Sequence, residues 1–554
     1  MKKTIAVFLT LLLAFTAAFC APASAQSPAA LKLAVASDLH YNLPEETLTW
    51  LTDDPVFGYA NRRAAMENES GFLIDAFLAD CEKQGADYVL LSGDLADNGR
   101  SLPEEHYAVR DKLLRFEQRT GIEVFVIDGN HDLGDGSATD IADFKEIYRE
   151  LGYDHALTVR EDDCSYTADL GDSLRLIALD SCDPTKSTED GMTAAKVRWV
   201  LEQAKAAKAE GREPLLMLHH NLLDHMPLQR LFSHNFIVRN HLATAELFAD
   251  AGIHIALSGH EHCSDAASYR SALLNEITDF ATTSLSMYPL SYRLFTFTGD
   301  RAQYTSKTLD RIDTAALSAA VSGYTAQQLG LMEADLDAYA KAYLKKGVEY
   351  RLRLGLSAEK SGLTPGTPLY RLLDGLYSRL DEVLSMPMAQ AIRLAASYSI
   401  AVPETPYATG WDLATDFVAA HYAGSEHFSL DSPEVTALLR LASLILKDVP
   451  AFATADLFGQ GSRFLADDGG LAKAAALAKR VFGGIRPDEV FVAVLVSDLV
   501  YGFSNDDDAD DNVGEILLAP QKTETLKGKW SAFFDRLLRR FRNLFAILGT
   551  LFHR

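Results

Sequence analysis

Two patterns of apolar positions divide the chain. From Leu31 to about Thr308, short apolar runs alternate with helical spacing. The runs include Leu31–Ser37, Tyr88–Ser92, Val124–Ile127, Leu174–Leu179, Leu215–Leu218 and Ile253–Leu257, and most are followed at once by Gly, Asp or His. Continuous Val/Ile/Leu runs of this length predict strands buried on both faces. Between them, Phe72–Glu82 and Thr193–Ala209 place apolar residues at helical intervals. The alternation predicts an α/β architecture of packed layers. Beyond Leu309, Ala315–Val348, Leu369–Leu394, Trp411–Ala423, Pro433–Leu446 and Leu471–Phe482 all read as helices, punctuated by Pro403, Pro406, Pro450 and Gly469-Gly470. An all-α accessory domain over 309–520 is expected to follow an α/β domain over 26–308.

Both ends differ from the body. Lys2-Lys3, an apolar run from Thr4 to Phe19 and Ala23-Ser24-Ala25 form a secretory leader over 1–25, with cleavage expected after Ala25. The apolar run is too short for a spanning helix, so the mature protein is expected outside the cell or at its surface. At the other end, Trp530, Phe533, Phe534, Leu537, Leu538, Phe541, Leu544, Phe545 and Leu548 share one helical face. Residues 527–554 carry seven Lys/Arg against Asp535 alone. A basic amphipathic helix of this kind lies on anionic lipid, or else docks on the body of the protein or pairs with itself. The cluster Asp506–Asp511 lacks the glycine of a calcium loop and reads as a solvated linker.

Composition then narrows the function. Of 554 residues, 48% are apolar and 23% charged, the balance of a packed globular protein. The formal charge of −25 argues against binding a nucleic-acid polymer, which needs a basic surface. It leaves room for phosphate-ester chemistry if bound metal supplies local positive charge. Export leaves Cys81, Cys164, Cys182 and Cys263. Cys164 and Cys182 flank a predicted hairpin, so they are either a disulfide or two buried thiols.

Five short blocks carry the candidate chemistry: Asp38-Leu39-His40, Gly93-Asp94, Gly129-Asn130-His131-Asp132, His219-His220 and Gly259-His260-Glu261-His262. Each follows a predicted strand, and strand ends in a layered α/β fold converge on one edge. Asp38, His40, Asp94, Asn130, His219, His260 and His262 supply seven oxygen and imidazole ligands. That is the right number for two adjacent divalent ions sharing one carboxylate, and these donors accept Mn, Fe, Zn or Co. The glycines before Asp94, Asn130 and His260 are expected to let the chain turn sharply where a ligand is presented.

The blocks resemble the calcineurin-like metallophosphoesterases, over Leu31 to about Thr308. The resemblance implies two sheets packed in a sandwich and flanked by helices. It implies one metal held by Asp38, His40, Asp94 and His262, and a second held by Asp94, Asn130, His219 and His260. It also implies in-line attack by a metal-bridging hydroxide, with His131 as general acid and Asp132 beside it. Asp97 stands where the purple acid phosphatases have Tyr, and His40 where they have Gly, so that branch is not indicated. The stretch His219–His225 has Asn221 in place of the common Pro. Together with Ser284–Pro289 and the helical C-terminal part, it is similar to the exported cyclic-nucleotide phosphodiesterases of Gram-positive bacteria.

The expected substrate is therefore a small phosphodiester, a cyclic nucleotide in the first place, with Arg100, Asp224 and His225 as candidate substrate-facing groups. A phosphomonoesterase or nucleotidase on the same centre would need additional cations for a dianion, and Arg100 is the nearest candidate in the sequence. A phospholipid or cell-wall phosphodiesterase would fit the basic tail. A surface-binding protein with a vestigial metal centre is the reading outside enzymology, and the complete ligand set argues against it.

Overall fold

A computed structural model describes residues 30–226, 229, 233–355, 365–426, 428–429, 432–447 and 511–518. The leader, the helix expected at 471–482 and the basic tail at 527–554 lie outside these residues.

Two sheets form the centre. The first contains β1 (Leu31–Ala36), β2 (Tyr88–Leu91), β3 (Glu123–Val126), β11 (Ser291–Thr298), β12 (Arg301–Thr308) and β13 (Val513–Leu517), in the order β13-β12-β11-β1-β2-β3. The second contains β4 (Thr158–Val159), β5 (Tyr166–Leu170), β6 (Leu174–Leu179), β7 (Glu213–Leu218), β8 (Ile255–Ser258), β9 (Asp265–Arg270) and β10 (Glu276–Ala281), in the order β4-β5-β6-β7-β8-β10-β9. Strands β1, β2 and β3 are mutually parallel, as are β6, β7, β8 and β10. This is why their sequences run apolar without alternation: β6 is buried at every position, and β1 from Leu33 onward. Apolar residues of both sheets, from Leu33 to Phe295, fill one continuous core.

Helices make the parallel crossovers. Helix α1 (Ser70–Gln84) buries Leu73, Ile74, Phe77, Leu78 and Cys81 and ends at Gly85 in the left-handed region. Helix α2 (Pro103–Thr120) starts with Pro at its first position and buries Val109, Leu113 and Phe116. Short α3 (Ile141–Ile147) is closed by a capping box between Asp140 and Asp143. Helices α4 (Ala194–Ala209) and α5 (His241–Asp250) serve the second sheet.

The later helices are more broken than apolar spacing predicts. Residues 315–348, expected as one helix, form α6 (Thr314–Ala320), α7 (Ala326–Ala334) and α8 (Leu336–Gly355). Thr325 caps α7 with a capping box, and Asp335 is extended before α8 begins. Residues 369–394 likewise divide into α9 (Pro368–Ser385) and α10 (Met388–Ser397), because Pro387 cannot continue a helix. Helices α11 (Gly410–Tyr422) and α12 (Pro433–Lys447) follow. Among the described residues no helix is long and apolar enough to cross a membrane.

One smaller expectation is corrected, and one open alternative is decided. Asp511 is buried rather than part of a solvated linker; it accepts the Ala266 N–H at 3.0 Å. Its carbonyl accepts from the buried Arg293 guanidinium, which also donates to Ser264 Oγ and to the carbonyls of Asp265 and Ala281. Cys164 and Cys182 are buried thiols with no disulfide between them.

Candidate metal centre

The ligand blocks stand at the C-terminal ends of β1, β2, β3, β7 and β8, on one edge of the two sheets. Five of the seven ligands sit in the left-handed backbone region: Asp38 (φ 49°), His40 (42°), Asp94 (50°), His260 (67°) and His262 (64°). Such φ values are uncommon for residues with a Cβ and cluster at functional sites. The glycines act mainly by allowing close approach. A Cβ on Gly129 would fall 2.2 Å from Asp94 Oδ1, and one on Gly259 would fall 1.9 Å from Ser37 Oγ. Only Gly93 (φ 96°) combines that crowding with a turn a side chain would resist, so the expectation of three sharp turns holds at one position.

The seven predicted ligands come together as two groups joined by Asp94. In the first, His262 Nε2 lies 3.1 Å from both His40 Nε2 and Asp38 Oδ1. In the second, His219 Nε2 lies 3.0 Å from His260 Nδ1 and 3.1 Å from Asn130 Oδ1. Asp94 Oδ2 stands between them, 3.7 Å from His40 Nε2 and 3.3 Å from His219 Nε2. Its other oxygen accepts the His131 N–H at 2.8 Å.

Neighbouring groups orient several of the ligands. His219 Nδ1–H donates to the Ser92 carbonyl at 3.0 Å, which turns Nε2 inward. Asn130 Nδ2 donates to the Ser187 carbonyl at 2.9 Å, which presents Oδ1. Asp38 Oδ2 accepts from Ser37 Oγ and from the His260 N–H at 2.6 and 2.9 Å. His40 Nδ1 lies 3.0 Å from Asp97 Oδ1, the carboxylate–histidine pairing common behind metal ligands.

These donors fit two divalent cations. Lone-pair atoms converge at about 3 Å with too few protons to join them, and two carboxylates lie fully buried. Electrostatics agrees: burial would raise the Asp94 carboxyl, but charge attraction from His219 and His131 holds it well below the usual range. Burial opposes a charged His219, yet Asp94 and Asp38 push it up to about 10: the two carboxylates draw positive charge to this point, which a bound cation would supply in place of that proton. Burial instead lowers His40 to about 4 and keeps His260 neutral, as ligands require.

His131 lies at the rim, one-third exposed, with its ring edge-on to His40 at 4.9 Å. Its Nδ1–H donates to the Asp97 carbonyl at 2.7 Å, leaving Nε2 to face a substrate. Asp132 is buried behind it and accepts from the N–H groups of Ala96 (3.0 Å) and Gly129 (2.8 Å), tying two ligand loops together. Burial pushes its carboxyl up to about 7, with Asp94 adding to the shift. It is placed to hold the loops rather than to meet a substrate.

The three candidate substrate groups are not brought to the centre as free side chains. Arg100 donates to the carbonyls of Asn130, Lys186 and Pro184, bracing a loop. Asp224 pairs with His241 at 3.1 Å. His225 is buried between Asp265 (2.5 Å) and Asp279 (3.0 Å). The sequence reading missed Asp97 as a partner of His40, and it missed Arg63. Arg63 Nη2 lies 2.5 Å from Asp97 Oδ1 and 3.1 Å from His40 Nδ1. Asp97 could have been found three residues beyond Asp94; Arg63 belongs to no motif.

Residues 31–264 match the calcineurin-like phosphoesterase family. Over this region the chain is similar to that family. The same region contains two groups of carboxylate and imidazole side chains that could hold metal ions, Asp38, His40 and His262 in one and Asp94, His219 and His260 in the other. Similar solved structures include a dimetal phosphatase from Danio rerio, at 10% identity and TM-score 0.39, covering 50% of this chain and 96% of that one. GAP50, the anchor in the inner membrane complex of Plasmodium, is 10% identical with TM-score 0.29, covering 54% and 98%. A predicted phosphoesterase from Streptococcus pneumoniae TIGR4 is 14% identical with TM-score 0.21, covering 50% and 90%. No curated protein matches the chain significantly.

Proposed function

We propose that this protein is an exported two-metal phosphodiesterase that hydrolyses small phosphodiesters, cyclic nucleotides first among them. The observation that carries the two-metal reading is the position of Asp94 Oδ2 between His40 and His219, one carboxylate oxygen facing both ligand groups. Bound there, two divalent ions would activate a water and polarise the phosphoryl oxygens. Asp38, His40 and His262 would hold one ion, Asn130, His219 and His260 the other, and Asp94 both. His131 would donate its Nε2 proton to the leaving alkoxide, its ring fixed through Nδ1 by the Asp97 carbonyl.

Charge favours a diester over a monoester. A dianionic monoester needs cations beyond the metals. Arg100 is committed to three carbonyls and Arg63 to Asp97. Resemblance in the sequence supplies the cyclic-nucleotide preference. Export rests on the leader at 1–25, and contact with anionic lipid on the basic residues of 527–554.

The test is hydrolysis by purified mature protein, with manganese or with a chelator. Substrates are bis(p-nitrophenyl) phosphate, p-nitrophenyl phosphate, and 2′,3′- and 3′,5′-cyclic AMP. Metal-dependent cleavage of the diesters over the monoester is expected. Preference for the monoester would overturn the diesterase reading, and a protein that binds no metal and cleaves nothing would overturn the enzymatic one.

A further inference from the structure

Helices α6–α8 reach the metal centre through a loop. Residues 42–69, between β1 and α1, run along these helices and are fixed to them at several points. Gln328 Nε2 donates to the Val56 carbonyl at 2.7 Å, and Tyr343 Oη to the Ala65 carbonyl at 3.0 Å. The buried Glu69 carboxylate accepts from Tyr59 at 2.7 Å and from Tyr324 at 2.6 Å, while Tyr339 Oη lies 2.9 Å from Tyr59 Oη. Tightest is Gly347 of α8: a Cβ there would fall 2.6 Å from both the Asn61 carbonyl oxygen and Ala64 Cβ. The loop segment so clamped is the one that carries Arg63, whose N–H donates to Asn61 Oδ1 at 3.0 Å.

We propose that Arg63 is a positioning residue for the metal held by His40, and that helices α6–α8 serve catalysis by clamping the loop that presents it. The inference rests on the two-metal reading above. Arg63 Nη2 at 2.5 Å from Asp97 Oδ1 and Asp97 Oδ1 at 3.0 Å from His40 Nδ1 form a chain from loop to ligand. Asp97 is nearly inaccessible to solvent, so its carboxylate needs a fixed cation to stay charged and in place. Held by Arg63, the Asp97 carboxylate stands against His40 Nδ1 and fixes the ring with Nε2 directed at the metal position. Asn42 Nδ2, 3.1 Å from the other Asp97 oxygen, comes from the start of the same loop. No such link reaches His219, whose Nδ1 is held by the backbone of Ser92.

The experiment is a manganese titration of mature full-length protein against a competing chelator, with kcat/KM on bis(p-nitrophenyl) phosphate measured alongside. In R63A, one of the two metal equivalents is expected to bind about 10–100-fold more weakly while the other is unchanged, the size usual for losing a group behind a ligand. G347A touches no ligand, and its methyl group pushes the loop; it is expected to weaken the same equivalent several-fold. The double variant R63A/G347A should bind no worse than R63A, because both act through one link. Should R63A fail to fold, R63Q is read in the same titration.

Both equivalents binding as in wild type in the Arg63 variant, or equal weakening of both, would overturn the positioning role. Additive losses in the double variant would overturn the clamp. A wild-type protein that binds no metal would instead remove the two-metal reading beneath both.

Discussion

The described helices after β12 fall into two groups that share a class but not a core. Leu317, Val321, Met332, Leu336, Tyr339, Tyr343, Leu344 and Val348, from α6–α8, are buried in the same cluster as Leu33, Val89 and Phe295 of the sheets. Val383, Leu384, Ala391, Leu413, Val435, Leu439, Leu441 and Leu444, from α9–α12, make a separate cluster. Helix α11 joins them: Trp411 and Phe417 pack in the second core, Ala419 in the first, and Lys345 of α8 reaches Asp412 at 2.6 Å. The change of sequence character at Leu309 thus marks a change of secondary structure, while the packing of the sheets continues to Val348. The comparison teaches that a helical segment following a catalytic domain can be part of its supporting core.

Four substitutions sharpen that contrast, from the largest effect to the smallest. Asp94→Ala removes the carboxylate facing both ligand groups; hydrolysis should fall below detection and metal content should drop on elemental analysis. His131→Ala keeps the backbone N–H that binds Asp94 and removes only the ring, so it should keep full metal content while slowing turnover about 10²–10⁴-fold, the scale of general-acid loss. Unchanged turnover would remove it from proton transfer.

His225→Gln tests a buried ion-pair cluster of the second sheet, away from the ligand groups. It leaves Asp265 and Asp279 facing each other without the imidazolium between them, and should cost about 3–5 kcal/mol in denaturant unfolding at pH 7. Burial opposes charge on His225, but the two carboxylates push it up to about 10. A folded-state value above the ordinary 6.5 means that its stabilisation is complete below that pH and is lost as pH rises through about 10. Wild-type stability should therefore decline from pH 7 to 10, and the variant should show a flatter profile. Leu444→Ala, in the second core, should cost about 2–5 kcal/mol and leave kcat/KM unchanged at temperatures where both proteins are folded. A loss of activity there would show that the two cores are coupled through α11.

Much of the site was legible because its signal is local. A metal ligand at a strand end announces itself by type and position, so Asp38, Asp94, Asn130, His219 and His260 could be read from five short blocks. What orients them could not be read, because those partners are backbone carbonyls such as that of Ser92, or side chains distant in sequence such as Arg63. Arg100, Asp224 and His225 show the converse: polar residues near a motif serve loops and buried ion pairs as readily as substrates. Fold class was legible from uninterrupted apolar strands. Helix ends at Thr325 and Pro387 were blurred because apolar spacing runs through them, and β13 escaped notice as five half-exposed residues following an acidic stretch.

That last strand has a consequence for chain integrity. β13 pairs antiparallel with β12 over Arg301–Thr305, and Asp511 is anchored to Ala266 and Arg293. The chain therefore leaves this sheet after β12 and returns to the neighbouring position at β13. A protease cut between these two strands severs the covalent thread, yet each piece keeps strands of the same sheet. A nicked molecule would migrate as one particle and part only on denaturation.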